Sequence, residues 1–148
     1  MGKEQEFAKK LIDFINASHS SFHATKNVEE ILIKEGFKKI ELQDKWKLNK
    51  EGKYYVSKNS SAIVAFVIGK GEIEDDGFRL VGAHTDSPTF RIKADPEMTV
   101  EGKYLKLNTE VYGGPILNTW FDRPLSMAGR GSIKTKNPLK PKELLIDM

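Results

Sequence analysis

The amino-acid sequence predicts an α/β fold in its first part, followed by a β-rich region. Two amphipathic helical patterns come before residue 37, and a continuous apolar run at 62–68 follows them. A strand that is apolar on both faces is typical of a sheet covered on both sides, as in α/β proteins. After about residue 90 the helical pattern stops and short β-rich stretches alternate with glycines. We therefore predict two regions, 1–95 and 96–148, with a boundary near Asp95-Pro96.

The first two elements are predicted to be helices. Between Glu4 and Ala17, charged residues separate apolar residues at helical spacing, which indicates one buried stripe made of Phe7, Leu11, Phe14 and Ile15. Asn27 followed by Glu30 is typical of a helix start, in which the Asn side chain caps free backbone N–H groups. Gly36 is expected to end this second helix by adopting a left-handed conformation.

Three strands are predicted next, at 38–42, 54–56 and 62–68, because the apolar residues there either alternate or run continuously. A further apolar stretch, Phe78 to Ala83, is predicted to be the neighbouring central strand. Pro88 follows shortly afterwards and cannot take part in a sheet ladder. His84 and Asp86 are thus predicted at the carboxyl end of a strand, where ligands bind in open α/β sheets.

The pair His84 and Asp86 is the strongest candidate for chemistry. On an extended backbone, residues i and i+2 share a face, so the carboxylate can reach toward the imidazole. A zinc-bound imidazole usually donates its second N–H group to a carboxylate, which fixes the orientation of the ring. However, a catalytic zinc ion needs about three protein ligands plus a water, and one histidine is not a site. Metal binding and a structural role therefore both stay open at this point.

Three other sites are less well supported. Ser87 could act as a nucleophile with His84 and Asp86, but three triad members within four residues cannot adopt the required geometry. His19 and His23 would share a helix face as metal ligands, yet their serine-rich surroundings favour a loop. Lys70 lies between glycines, but this segment lacks the spacing of a phosphate-binding loop.

Composition limits the partners and the compartment. Lys and Arg number 24 against 21 Asp and Glu, and they are interleaved, so we predict no nucleic-acid partner. The chain has no cysteine, which excludes disulfides and thiolate metal sites and permits a reducing compartment. Its longest apolar run is far shorter than the roughly 20 residues that span a bilayer. We expect no membrane span, no secretory signal and a cytoplasmic protein.

Several motifs resemble the aspartyl aminopeptidase family of dinuclear zinc metallopeptidases, and their order and spacing match along nearly the whole chain. They are Gly82-Ala83-His84-Thr85-Asp86-Ser87-Pro88, Tyr112-Gly113-Gly114, Asn118-Thr119-Trp120-Phe121-Asp122-Arg123 and Ala128-Gly129-Arg130. The chain departs from the family at Ser18-His19-Ser20-Ser21, where Ser-Pro-Ser-Pro is common, and at Pro124, where an acidic residue is usual.

The resemblance implies a role for each site residue. It makes His84 a zinc ligand and Asp86 the catalytic-site carboxylate that orients the imidazole. It favours structural or interface roles for Trp120, Asp122 and Arg123. Asp122 is also a weaker candidate for metal binding. The implied cofactor is zinc, two ions per complete site, although cobalt or manganese would also suit such ligands. The implied fold is an α/β/α catalytic domain interrupted by a β-rich insert that is used in assembly.

The resemblance also implies a function. Family members remove N-terminal residues, often acidic ones, from peptides by means of a metal-activated water, and they form homo-oligomers, typically dodecamers. The other zinc ligands and the general base would lie after Met148. We therefore expect this chain to be an N-terminal portion that ends within the insert and has no activity alone. The alternative is a non-catalytic remnant or interaction module that assembles with a partner or with full-length subunits.

Overall fold

A computed structural model describes residues 2–148 and divides the chain into two contact units. The first unit comprises the residues up to Asp86 together with Met127–Met148, and the second comprises Ser87–Ser126. Helices and strands are mixed along the chain, which confirms the predicted α/β class. The predicted domain boundary near Asp95-Pro96 lies inside a strand of the second unit and stays a prediction.

The chain begins with two helices, α1 (Lys3–Ala17) and α2 (Ser21–Lys34). The prediction that Asn27 caps the second helix is wrong. Ser20 is the cap, because its hydroxyl accepts a hydrogen bond from the backbone N–H of His23. Asn27 lies inside α2 and donates its side-chain amide to the carbonyl of Ala17 at 2.9 Å, which ties the two helices together.

The end of α2 is as predicted. Gly36 has a φ of +81°, a left-handed conformation that glycine adopts without steric cost. Its N–H donates to the carbonyl of Ile33 at 3.0 Å, and the N–H of Phe37 donates to the carbonyl of Leu32 at 2.9 Å. These two bonds satisfy carbonyls that the end of a helix otherwise leaves without partners.

A small sheet follows, made of β1 (Lys38–Lys39), β2 (Lys53–Lys58) and β3 (Ala62–Val67). The central strand β2 pairs in parallel with β1 and antiparallel with β3. The buried side chains of the described residues belong to α2 and β2: Ala24, Thr25, Tyr54, Tyr55 and Val56. After β3 the chain forms one short helix, α3 (Ile73–Asp76).

Much of the apolar surface that the sequence predicts to be buried is exposed. The predicted buried stripe of α1 is wrong, since Phe7 is 74% exposed. β3 is an edge strand rather than an internal one, and it exposes Val64 and Val67. The predicted central strand, Phe78 to Ala83, forms no strand at all, and Val81 is 99% exposed. A strand is stable only with hydrogen-bonded neighbours, and the described residues supply none here.

The second unit is built on a long antiparallel hairpin of β4 (Thr89–Val100) and β5 (Tyr104–Tyr112). Its register shifts between Ile92 and Glu97, where Asp95 has a positive φ of 50°. A single 3-10 turn follows at Leu117–Thr119.

The chain then returns to the first unit as a hairpin of β6 (Ala128–Ile133) and β7 (Lys142–Asp147). α2 packs against β3 and β6. None of the helices formed by residues 2–148 has the length and apolar character needed to cross a membrane.

Candidate functional site

His84 and Asp86 lie together in an exposed loop of the first unit. The imidazole Nδ1 of His84 is 2.9 Å from the backbone oxygen of Asp86 and 3.2 Å from its carboxylate Oδ1. The structure thus brings the two side chains together. The expectation that they follow directly from a paired strand is wrong, because the segment before them has no strand partner among residues 2–148.

This geometry favours one tautomer of His84. Both oxygen atoms next to Nδ1 are hydrogen-bond acceptors, so the neutral ring is stabilised when its proton is on Nδ1. The lone pair then lies on Nε2, the nitrogen on the other side of the ring. Metal-binding histidines usually have such a second partner behind the ring, often a carboxylate or a backbone carbonyl. The His84 side chain is 81% exposed, so a ligand could reach Nε2.

The donor set fits one ligand of a zinc ion rather than a complete site. An imidazole nitrogen with a carboxylate behind it is suitable for zinc. Within residues 2–148, however, no cluster of three or more His, Asp or Glu side chains could hold a metal ion. His84 and Asp86 could therefore supply one metal ligand and the carboxylate behind it, and no more.

Thr85, between these two residues, makes a contact with the sheet. Its hydroxyl donates a hydrogen bond to the backbone carbonyl of Ser61 at 2.9 Å, just before β3. The residue is half-buried, in contrast to its exposed neighbour His84. Nothing in the sequence points to this contact, because no local pattern shows which carbonyl a threonine hydroxyl will reach.

His19 and His23 also lie close together, with ring centroids 6.2 Å apart. Their polar partners differ: His19 Nδ1 is 3.0 Å from Asp147 Oδ2, and His23 Nδ1 is 2.8 Å from the hydroxyl of Ser20. An acidic residue therefore does lie beside His19, although sequence spacing could not reveal it. The two histidines belong to no three-residue metal group in the described part of the chain.

The remaining candidates lie in the second unit or have ordinary surface contacts. Trp120 packs edge-on against Phe90 with centroids 5.1 Å apart, as a structural aromatic residue would. Asp122 is exposed and has a positive φ of 54°. Arg123 approaches the carbonyl of Thr119 at 3.5 Å, and Lys70 pairs with Glu51 on the surface.

Comparison with known families gives a match over most of the chain. Residues 14–148 match the family model described as aminopeptidase I zinc metalloprotease (M18). A probable M18 family aminopeptidase 2 of Clostridium acetobutylicum is 56% identical over 148 residues, which is 100% of this chain and 34% of that protein. Its counterpart in Clostridium novyi is 55% identical over the same share of each chain. The chain thus spans about a third of the length of these curated relatives.

Solved structures of similar proteins also match this chain over nearly its whole length. A structure of an Ape4 and Nbr1 complex has a TM-score of 0.90 and 36% identity, and the match covers 100% of this chain and 29% of that one. The mApe1 dodecamer of S. cerevisiae has a TM-score of 0.87 and 28% identity, over 99% of this chain and 34% of that one.

The position of the His84 proton can be measured. We expect the neutral ring to carry its proton mainly on Nδ1, because two oxygens accept from that atom. Asp86→Ala removes one acceptor and leaves the backbone oxygen, so the share of the Nδ1–H tautomer should fall. Long-range ¹H–¹⁵N spectra of the imidazole would show both tautomers. His23, which contacts Ser20, serves as an internal control and should not change. A dominant Nε2–H tautomer in the unsubstituted chain would contradict this geometry.

Proposed function

Because this chain belongs to the aminopeptidase I zinc metalloprotease family (M18), we propose that the protein is a zinc-dependent aminopeptidase. Its reaction would be the removal of N-terminal residues from peptides. The observation that supports this proposal most directly is the contact of His84 Nδ1 with Asp86, which leaves Nε2 for a metal. Since the chain spans about a third of its relatives, the activity is proposed for the whole protein.

Each of the two residues has a distinct part in the proposal. His84 would bind zinc through Nε2. Asp86 would hold the ring in the correct orientation, and its negative charge would make the imidazole a better donor. Zinc bound there would supply Lewis-acid chemistry, namely activation of a water and polarisation of the scissile carbonyl. The complete site would hold two zinc ions, as the resemblance implies, and the same donors would accept cobalt or manganese.

The substrates would be peptides, and the resemblance to aspartyl aminopeptidases favours those with acidic N-terminal residues. Action in the cytoplasm, which the absence of cysteine permits, is part of the same proposal.

We also propose that the protein assembles with copies of itself through the β4–β5 hairpin. Alternate residues of a strand share a face, so Leu105, Leu107 and Val111 lie on one side of β5. All three are exposed, Leu105 to 70%. An isolated two-stranded hairpin is marginally stable in water, and covering this apolar side would stabilise it. The dodecameric state of the similar mApe1 structure supports assembly.

The same exposed side favours the second candidate function, a non-catalytic interaction module. In that case the chain would associate with a partner or with full-length subunits without contributing to a metal site. The two candidates differ in what His84 does. If the protein is an aminopeptidase, loss of the His84 side chain removes zinc and activity. If it is an interaction module, loss of this side chain changes neither zinc content nor activity.

Activity of the full-length protein tests the first candidate. We expect chelator-sensitive hydrolysis of an aspartyl-4-nitroanilide substrate, measured as kcat/KM together with bound zinc. Asp86→Asn should lower kcat/KM by about 10–100-fold, because it weakens the support behind a zinc ligand. His84→Ala should cost more, since it removes the ligand itself.

His19→Ala is the matched control, because His19 is an exposed histidine of the same unit that pairs with Asp147 instead. It should retain zinc and activity. Full zinc content and full activity in His84→Ala would contradict the proposal. The 148-residue chain alone should show no turnover, and chelator-sensitive turnover by that chain would contradict its expected inactivity.

Assembly is tested by placing a charge on each side of β5. Leu105→Lys should shift the full-length protein to smaller species in size-exclusion chromatography with light scattering. Losing a buried leucine costs about 1.5–3 kcal/mol, which corresponds to roughly a tenfold or greater rise in the dissociation constant. Asn108→Lys adds the same charge to the opposite side and should leave the size unchanged. Equal sizes for both variants and the unsubstituted protein would rule out this surface.

A further inference from the structure

We propose that Thr85 is a positioning residue that holds His84 and Asp86 in place by fixing their loop to the turn between β2 and β3. The hydrogen bond from its hydroxyl to the carbonyl of Ser61, 2.9 Å long, makes this connection. The consequence for zinc rests on the proposed function of His84, whereas the consequence for the loop does not.

The loop needs such support because the chain before it offers none. The preceding segment pairs with no strand in the described part of the chain, and Leu80 and Val81 are almost fully exposed. After Asp86 the chain enters the second contact unit. A ligand and its orienting carboxylate must keep their geometry within about 0.5 Å to be effective. A bond from the middle of the loop to a rigid element restricts both neighbours at once.

The turn that accepts this bond contains two residues with positive φ. Asn59 and Ser60 both have left-handed backbones, with φ values of 54° and 55°. The N–H of Ser61 donates to the carbonyl of Lys58 at 3.2 Å, which closes the turn. Left-handed conformations are unfavourable for residues other than glycine, asparagine being the best tolerated. Two in succession occur in tight hairpin turns, where asparagine and glycine are preferred, and a serine there is stabilised when surrounding contacts hold it.

The β6–β7 hairpin supplies those contacts. The guanidinium of Arg130 donates to the carbonyl of Asn59 at 2.9 Å, and the hydroxyl of Ser60 donates to the carboxylate of Glu143 at 3.1 Å. Arg130 and Glu143 also pair with each other at 2.9 Å. The turn is therefore attached to the hairpin at two successive residues.

Arg130 is in turn held by α2. Its guanidinium lies 4.4 Å from the centre of the Phe22 ring, in a cation–π contact. The Arg130 side chain is three-quarters buried, which makes its charged contacts stronger than those on an open surface. Hydrogen bonds and packing thus connect α2, β6–β7, the turn at 59–61 and Thr85 in one series. Thr85 is the member of this series that lies next to the proposed zinc ligand.

A simpler interpretation is that the Thr85 hydroxyl only satisfies the nearest carbonyl. Under that interpretation, removing the hydroxyl lowers stability slightly and leaves the dynamics of His84 and Asp86 unchanged. Under the positioning role, removing it loosens these two residues specifically. A comparison of threonine, serine and valine at position 85 distinguishes the two interpretations, because serine keeps the hydroxyl group and valine keeps the shape of the side chain.

The first experiment measures backbone order by ¹⁵N relaxation in the 148-residue chain. The amides of His84 and Asp86 should have order parameters near the value of a rigid backbone, about 0.85, in the unsubstituted chain and in Thr85→Ser. In Thr85→Val they should fall below about 0.6, the range of flexible segments. Ser60→Ala, which loosens the turn and leaves Thr85 intact, should give a smaller fall in the same direction.

Thr119→Val is the matched control, because it also removes a hydroxyl that donates to a backbone carbonyl, here that of Ile116. It lies in the second unit and should leave residues 84–86 unchanged. Equal order parameters in Thr85→Val and the unsubstituted chain would overturn the positioning role, whatever His84 binds. Low order parameters in the unsubstituted chain would overturn it as well.

The second experiment measures function in the full-length protein. Thr85→Val should weaken zinc binding and lower kcat by about 10–100-fold, as loss of support behind a metal ligand does, with KM nearly unchanged. Thr85→Ser should restore both. If Thr85→Val loosens the loop but His84→Ala keeps zinc and activity, the proposed zinc role fails and the positioning role stands. If Thr85→Val loosens the loop but keeps its zinc, while His84→Ala loses zinc, the role of Thr85 in positioning the zinc site is overturned.

Discussion

The packing of α2 against β3 and β6 is the constraint on which the rest of the first unit depends. Buried side chains are few, and those of the described residues lie on α2 and β2. β2 leads directly into the turn at 59–61, and α2 holds Arg130 through Phe22. The loop that carries His84 is attached to this turn. The proposed metal ligand is therefore supported by a small core to which it does not itself belong.

The sequence predicted the features that depend on local physics. The two helices, the left-handed Gly36 and the strands 53–58 and 62–67 follow from residue type and spacing over a few positions. The approach of His84 to Asp86 was also predictable, because residues two positions apart can meet without help from the rest of the chain. The roles of these two residues in binding zinc and in catalysis stay predictions.

Features that depend on distant residues could not be predicted in this way. Asp147 reaches His19 across 128 positions, and Thr85 reaches Ser61 across 24. Both serine and asparagine can cap a helix, and here Ser20 caps α2 while the side chain of Asn27 bonds to the carbonyl of Ala17. Apolar patterns likewise show which residues favour burial. They do not show whether another element covers these residues. Val81, which the apolar pattern places in a buried strand, is exposed.

The central claim is that His84 binds zinc through Nε2 while Asp86 orients the ring from the other side. Zinc-edge anomalous diffraction from crystals of the full-length protein tests it most directly. We expect an anomalous peak about 2.0–2.1 Å from His84 Nε2, with an Asp86 oxygen within hydrogen-bond distance of Nδ1. A zinc peak beside Nδ1, or zinc bound elsewhere with none at His84, would contradict the claim.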